Sequence, residues 1–186
     1  VVFAQKYDEL GNPQWDEGGV LVGALNGDNI VSGITAVPGG GCMVTWVQNY
    51  SGDQNVYSTL IGGDGAVWED PVALSAADGE QTSVQVTAVE NGILAAWKDA
   101  RNGNADIFGQ ILHYDGTLIG EADGFGISVK ANDQQSVTLS YNSESNDALL
   151  CWEDFESGSD FDVNCQLVNM NAELSGDEIE MASFPG

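Results

Sequence analysis

The segment ILAAW at residues 93–97 is one of three short apolar runs in this chain that end in a tryptophan, and this recurrence decides the fold. The other two runs are CMVTW, which ends at Trp46, and ALLCW, which ends at Trp152. The three tryptophans, which include Trp97, are spaced 51 and 55 residues apart. Each is followed by a polar loop and a second apolar segment, namely NVYSTLI, DIFGQIL and DVNCQLV. Self-similarity at a fixed period of this length indicates tandem structural units.

Each unit of about 50 residues reads as four short strands, A to D, joined by Gly, Asn and Asp turns. In the second unit, strand A covers 84–89, B 93–97, C 106–112 and D 127–129. The opening VVFAQKY aligns with strand C, so the following positions are equivalent: Gln5, Thr59, Gln110 and Gln166. No segment shows the apolar spacing of a significant helix. We therefore predict one domain over 1–186, with units at 1–23 (strands C and D only), 30–75, 82–130 and 135–183.

Tandem four-stranded units of this size predict an all-β fold, a β-propeller segment of antiparallel blades. Strand B supports the prediction because it is apolar on both faces, with Ile93, Ala95 and Trp97 on one side and Leu94 and Ala96 on the other. A strand of this kind is expected in a sheet that is sandwiched between two neighbouring sheets. The recurring tryptophans are expected in the core between the blades.

The first unit lacks strands A and B, so the chain amounts to about three and a half blades. Because a ring needs whole blades, we expect missing sequence or another chain to complete it. An open arc would instead expose an apolar sheet face at each end. The chain begins with Val1 rather than Met, and we expect it to be a processed product or a fragment of a longer chain.

Composition excludes several partners. The chain has 29 acidic and four basic residues, a net charge of −25. Binding to nucleic-acid phosphates or to anionic lipid needs clustered Lys and Arg, so neither is expected. No apolar run reaches the ~18 residues that a membrane-spanning helix needs. The charge keeps the chain soluble and suits a salt-rich exterior.

The stretch WKDARNGNADIFGQIL at 97–112 resembles a repeat of large secreted bacterial proteins, with the pattern W-x-D-x-R-x-G-x-x-D-I-Y-x-Q. The segment at 4–22 resembles the second half of that repeat. The resemblance implies a propeller in an exported or surface protein, often a type IX secretion cargo of Bacteroidetes-like bacteria, and it supplies no catalytic residues. The third unit departs from the pattern, because EDFESGSDFDVNCQ has no Arg and its turn is Asn171–Ala172.

Residues for catalysis are scarce, and we predict no enzyme activity. A sialidase needs several arginines to hold a substrate carboxylate, whereas this chain has only Arg101. The single histidine, His113, is expected to be a solvated turn residue rather than part of a triad or a metal site. Acidic pairs are so common in this chain that none specifies a glycosidase.

The loops between strands B and C are rich in oxygen ligands and could hold Ca²⁺. The candidates in the second unit are Asp99, Asn102, Asn104 and Asp106. Those in the third unit are Asp154, Ser157, Ser159 and Asp160. The alternative interpretation is that Asp99 and Asp106 pair with Arg101 and cap turns, and the sequence leaves both open.

The three cysteines differ in their surroundings. Cys151 and Cys165 lie on strands B and C of one hairpin, at positions that can oppose each other, so a cross-strand disulfide is plausible, with two buried thiols as the alternative. A disulfide would imply an oxidising compartment. Cys42, at the start of strand B, is expected to be a small buried hydrophobe.

The function predicted from these features is a non-catalytic propeller module of a secreted or cell-surface protein, which binds a protein or ligand or serves a structural role. A second possibility is a carbohydrate-binding or carbohydrate-active propeller, with aromatic side chains such as Tyr50, Phe155 and Phe161 stacking on sugars. A third is a subunit of an extracellular filament, in which neighbouring chains complete the unfinished blade.

Overall fold

The computed structural model describes residues 1–23, 26–68, 70–155 and 158–183. These residues form fifteen strands and no helix, which confirms the all-β prediction. Accordingly, nothing in the described ranges is a helix with the length and apolarity to cross a membrane.

The strands form four antiparallel sheets, which we number I to IV in chain order. Sheet I contains β1 (Val2–Ala4) and β2 (Val20–Gly23). Sheet II contains β3 (Asp28–Val37), β4 (Gly41–Tyr50), β5 (Asp53–Ile61) and β6 (Val72–Ser75). Sheet III contains β7 (Gln81–Val89), β8 (Gly92–Asp99), β9 (Asp106–His113), β10 (Leu118–Ile119) and β11 (Phe125–Ser128). Sheet IV contains β12 (Gln134–Asn142), β13 (Asp147–Asp154), β14 (Asp162–Asn169) and β15 (Leu174–Ala182).

In sheets II and IV, consecutive strands pair with each other, as four strands per unit require. In sheet III, β7, β8 and β9 pair in the same order, and β10 and β11 both pair with β9. The strands of sheet III differ from the prediction in their bounds and in number. Strand B is Gly92–Asp99 rather than 93–97, and strand D is Phe125–Ser128 rather than 127–129. Strand A begins at Gln81 rather than at 84, because a bulge between Thr82 and Gln85 interrupts the alternation that marks a strand. The short strand β10, which pairs with Ile111 and Leu112 of β9, was not predicted.

The sheets pack face to face, and each interface has its own apolar cluster. Sheet III contributes Ile93, Ala95 and Trp97 to the cluster shared with sheet II. Its Leu94 and Ala96 belong to the cluster shared with sheet IV. Strand B of this unit is therefore buried on both faces, with the division of residues that the sequence predicts.

The first strands of sheets II, III and IV lie next to each other, β3 beside β7 and β7 beside β12. The sheets are thus closest together at their A strands. The apolar clusters link sheet I to II, II to III and III to IV. These contacts make a stack in which each sheet packs on the next, and they do not show a closed ring.

Trp46, Trp97 and Trp152 are all buried, and each faces the preceding sheet. The Trp97 indole fits because Gly124 lies against it. A Cβ at this glycine would come within 2.8 Å of the indole, and its φ of +93° is one that L side chains rarely adopt.

The two ends of the stack expose apolar side chains. At the sheet I and II end, Phe3, Val31 and Ile34 are exposed. At the outer face and edge of sheet IV, Ile179 and Met181 are exposed. Within the described residues, neither end is covered by neighbouring sheets on both faces, as sheet III is.

Candidate functional site at the sheet junctions

The junction of sheets II and III contains a buried carboxylate, Asp99, at the end of β8. It lies two residues after Trp97, and the indole Nε1 of that residue donates a 2.8 Å hydrogen bond to its Oδ2. Arg101 holds both carboxylate oxygens, with Nε 2.9 Å from Oδ1 and Nη2 2.5 Å from Oδ2. This bidentate geometry is the strongest form of a side-chain ion pair. We call the group the Asp99 clamp.

Arg101 also connects the two sheets. Its Nη2 donates to Ser75 Oγ of sheet II at 3.2 Å and to the Asp123 carbonyl of sheet III at 2.7 Å. The guanidinium lies 4.0 Å above the centre of the Phe108 ring, which adds a cation–π contact. Asp123 Oδ1 accepts a 2.8 Å hydrogen bond from the Ala76 amide of the segment that follows sheet II. These contacts tie sheet II to sheet III at the edge of their apolar interface.

The junction of sheets III and IV contains a second clamp, centred on the buried Asp154. Trp152 Nε1 donates to Asp154 Oδ2 at 3.5 Å, and Asn164 Nδ2 donates to the same oxygen at 3.0 Å. The cation is Lys130, whose Nζ is 3.1 Å from Asp154 Oδ2 and 2.5 Å from Glu178 Oε1. Lys130 belongs to the segment after sheet III, so here the positive charge comes from the neighbouring unit.

The junction of sheets I and II replaces the acid by an amide. Gln48 stands two residues after Trp46, and its Nε2 donates to the Asn26 carbonyl at 2.6 Å. Trp46 Nε1 is buried and has no acceptor within the part of the chain that the structure describes. This junction therefore lacks the indole–carboxylate bond that the other two contain.

The predicted calcium ligands divide into two groups. Asp99 is engaged by Arg101, as the alternative interpretation of these residues proposed. Asp106 is buried and accepts hydrogen bonds from Asn102 Nδ2 at 2.7 Å and from Asn104 Nδ2 at 3.1 Å. The suggestion that Asp106 also pairs with Arg101 is wrong, because Arg101 turns toward Asp99 and sheet II.

Asn104 does more than contact Asp106. Its Nδ2 also lies 3.0 Å from the Lys130 carbonyl and 2.5 Å from the Asn132 carbonyl, so it links the loop to the segment leading into sheet IV. Across the described ranges, no group of three or more His, Cys, Asp or Glu side chains is placed to hold a metal ion. Of the third-unit candidates, Asp154 lies in the second clamp and Ser157 falls outside the described residues. Calcium binding stays a prediction.

The structure contains the Cys151–Cys165 disulfide, with the two residues directly paired across β13 and β14 and their Cα atoms 4.0 Å apart. Cys42 is a buried free thiol in the cluster between sheets I and II. Burial raises the pKa of this thiol, and the nearby Lys6 partly offsets the shift.

The rim beyond sheet IV carries a pair of aromatic side chains. The rings of Phe155 and Phe161 are 4.9 Å apart between centres and tilted by 40°, and Phe161 is exposed. Tyr50 is exposed at the end of β4, on a different sheet. His113 is partly buried at the end of β9, next to the turn at Asp115.

Sequence reasoning missed two structural roles. The alignment of Gln5, Gln110 and Gln166 does not reveal the backbone carbonyls that they bind. Nε2 of Gln5 and of Gln110 donates to a carbonyl between strands C and D, at 2.9 and 2.8 Å. Nε2 of Gln166 donates to a carbonyl at the start of strand D, at 3.1 Å. The sequence pattern also gives no role to Lys130, the cation of the second clamp. Its rarity in so acidic a chain was the available signal, because a lone cation among many carboxylates is expected to pair.

Comparison with models of protein families gives no match to this chain, and comparison with curated proteins gives none either.

Proposed function

We propose that this chain is a segment of a β-propeller and serves as a non-catalytic interaction or structural module of a secreted or cell-surface protein. The observation that carries the proposal is the repeated junction, in which each buried tryptophan faces the preceding sheet and the A strands lie side by side. Repeating one junction turns each sheet in the same direction. Further sequence or another chain would then complete the ring.

A non-catalytic role is supported by the engagement of the only arginine and of the two buried acids at the sheet junctions. The guanidinium of Arg101 holds Asp99, Ser75 and the Asp123 carbonyl, so it has little capacity to bind a substrate carboxylate. The carboxylate of Asp154 is likewise held by Lys130 and Asn164. These contacts support a structural role for both acids.

An extracellular location is supported by the Cys151–Cys165 disulfide, because disulfides persist mainly in oxidising compartments. The net charge of −25 agrees with this, since a strongly charged chain stays soluble and its self-repulsion is screened in a salt-rich exterior.

Small-angle X-ray scattering on the full-length natural protein tests the architecture. A propeller is expected to give the scattering of a flat disc with a central channel, whereas an open stack of sheets gives an elongated particle. Incubation of the same protein with glycan and peptide substrate libraries tests the second half of the proposal. Turnover that survives purification to homogeneity would refute a non-catalytic module.

A second candidate function is sugar binding, and the Phe155–Phe161 pair is the observation that favours it. Aromatic faces at a rim are suited to stacking on the apolar face of a sugar ring. A glycan array compares the natural chain with Phe161→Ala. Tyr7→Ala is the matched control, because Tyr7 is exposed but lies far along the chain, in the connection between β1 and β2. Sugar binding predicts a signal that Phe161→Ala alone abolishes, and an empty array for the natural chain would count against it.

A further inference from the structure

A groove lies beside β1, over the part of the sheet II face that sheet I leaves uncovered. Its volume is about 340 Å³. One wall is the outer edge of β1, and the floor is the apolar face of β3 and β4. The lining includes Phe3, Ala4, Lys6, Ile34, Cys42 and Val44. We call this feature the β1 groove.

The edge of β1 that faces the groove corresponds to a paired edge in every other sheet. β1 pairs with β2 alone among the described strands. The equivalent C strands β5, β9 and β14 each pair on both sides, with the B strand on the side that matches the groove. The register shows that β1 lacks a B-strand partner. Phe3 aligns with Phe108, and Phe108 pairs with Trp97 of the B strand β8. The groove edge of β1 therefore presents backbone N–H and C=O groups whose equivalents in β5, β9 and β14 are hydrogen-bonded to a B strand.

The floor of the groove is also incomplete. Ile34 is 63% exposed, although it is an aliphatic residue in the middle of β3. Its equivalents are Val86 in sheet III and Leu139 in sheet IV, which oppose matching positions on strand B. Both are partly buried, because the preceding sheet packs on them. Ile34 lacks this cover because sheet I has no A or B strand among the described residues.

We propose that the β1 groove binds a two-stranded β-hairpin of the same repeat type. The second strand of the hairpin pairs antiparallel with β1, which is strand addition at an open sheet edge. The side chains of this strand that face sheet II are aliphatic or small. They correspond to Leu94 and Ala96 of sheet III, which face the next sheet, sheet IV. This inference rests on the proposed propeller and identifies the partner at its unfinished blade.

A second copy of the chain is a poorer occupant than a separate hairpin. The B strands β4, β8 and β13 are already paired on both sides, so a second copy could donate a hairpin only by opening one of its own sheets. Two copies would also bring together net charges of −25 each. The complete junctions, by contrast, show directly how an A–B hairpin fits.

A chimera tests the proposal. A copy of residues 81–106, which spans β7, β8 and the following loop, is joined to Val2 in place of Val1, since Val2 aligns with Ile107. Cys42 in the floor reports occupancy through its rate of alkylation under native conditions, and amide hydrogen exchange reports pairing of β1. We expect alkylation at least tenfold slower than in the natural chain, with new exchange protection in β1.

The matched control carries the substitution Ala96→Pro in the added copy only, because proline interrupts pairing in the middle of a sheet. Cys42 of this control should be alkylated at the same rate as Cys42 of the natural chain. If the chimera also labels at that rate, the proposal is overturned. Should the chimera fail to fold, the 81–106 peptide is added to the natural chain, and absence of both Cys42 protection and β1 protection at saturating peptide would equally overturn it.

Two further outcomes are separable. Protection of Cys42 that rises with concentration in the natural chain, together with a dimer in gel filtration, would assign the groove to a second copy and overturn the proposal. The scattering experiment on the full-length protein tests the propeller separately from the hairpin site. Protection of Cys42 in the chimera together with elongated scattering would support the hairpin site and reject the propeller. An unprotected chimera together with disc-like scattering would support the propeller and reject the hairpin site.

Discussion

The junction of sheets II and III and the junction of sheets I and II have the same tryptophan in the same place, but they are held together differently. At the first, the Trp97 indole donates to Asp99, and Arg101 neutralises that acid while reaching sheet II. At the second, Gln48 replaces the acid, and Trp46 Nε1 has no acceptor among the described residues. Packing therefore defines the repeat, because Trp46 and Trp97 are equally buried, whereas the carboxylate clamp is present at one of these two junctions and absent from the other.

The largest effect is expected from Asp99→Ala. The substitution leaves the Arg101 guanidinium and the Trp97 indole without their buried acceptor, and removing one partner of a buried pair costs about 3–5 kcal/mol. Urea unfolding should show this loss of unfolding free energy. Gln48→Ala is the matched change in sheet II and should cost only about 1 kcal/mol, since it removes one neutral hydrogen bond. Equal losses would mean that the clamp contributes nothing beyond packing.

The next effect concerns sheet IV, whose outer face has no covering sheet among the described residues. The double variant Cys151→Ala and Cys165→Gly copies the residues found at the equivalent positions of sheet III, Ala96 and Gly109. Loss of a disulfide that closes a loop of this size should lower the unfolding free energy by about 3 kcal/mol. Treatment of the natural chain with a reductant should reproduce most of the loss. A variant as stable as the natural chain would show that the disulfide does not stabilise the sheet.

A smaller effect is expected from Gln48→Asp, which introduces the acid into sheet II without a cation. Desolvation should raise the folded-state pKa of the new carboxyl above its unfolded value, because no Lys or Arg within the described residues pairs with position 48. The variant should therefore be less stable than the natural chain by about 1–2 kcal/mol at neutral pH. The difference should shrink as the pH falls through that raised pKa. A loss that does not change with pH would point to steric misfit instead.

The smallest effect on stability is expected from substitutions in the equivalent turns of sheets III and IV, where the residue type differs. Gly116 in sheet III has a φ of +89°, and Ala172 occupies the equivalent turn in sheet IV with a φ of +62°. Because a Cβ is unfavourable in this left-handed region, Ala172→Gly should stabilise the chain by about 1 kcal/mol. Thermal unfolding measures the gain. Gly116→Ala should show a loss of similar size, and two shifts of the same sign would contradict the argument.

Much of the architecture could be predicted from the sequence. The alternation of ILAAW assigned Ile93 and Leu94 to opposite faces, and the structure places them in different apolar clusters. The register of Cys151 with Cys165 also followed from the hairpin, because residues at equal distance from the turn oppose each other. Strand ends were less accurate, since the bulge after Thr82 breaks the alternation on which the prediction depended.

The sequence predicted one of the two clamps at the candidate site but not the other. Arg101 lies two residues from Asp99, so a local ion pair was foreseeable as the alternative to calcium. Lys130 reaches Asp154 from 24 residues away, and that pairing depends on how sheet III packs on sheet IV. Glu156 stands where Arg101 would be in the third unit, so local sequence alone suggested that Asp154 had no cation.

Sequence alone was sufficient to predict the repeat, the all-β fold and the faces of the central strand, because these depend on the alternation of side chains along a strand and on segments of similar pattern folding alike. Only the tertiary structure decided which carboxylates are neutralised, by which cation, and which surface is left open beside β1. Those features arise between segments that are distant in the chain, where the distance between charges and the exclusion of water are set by packing.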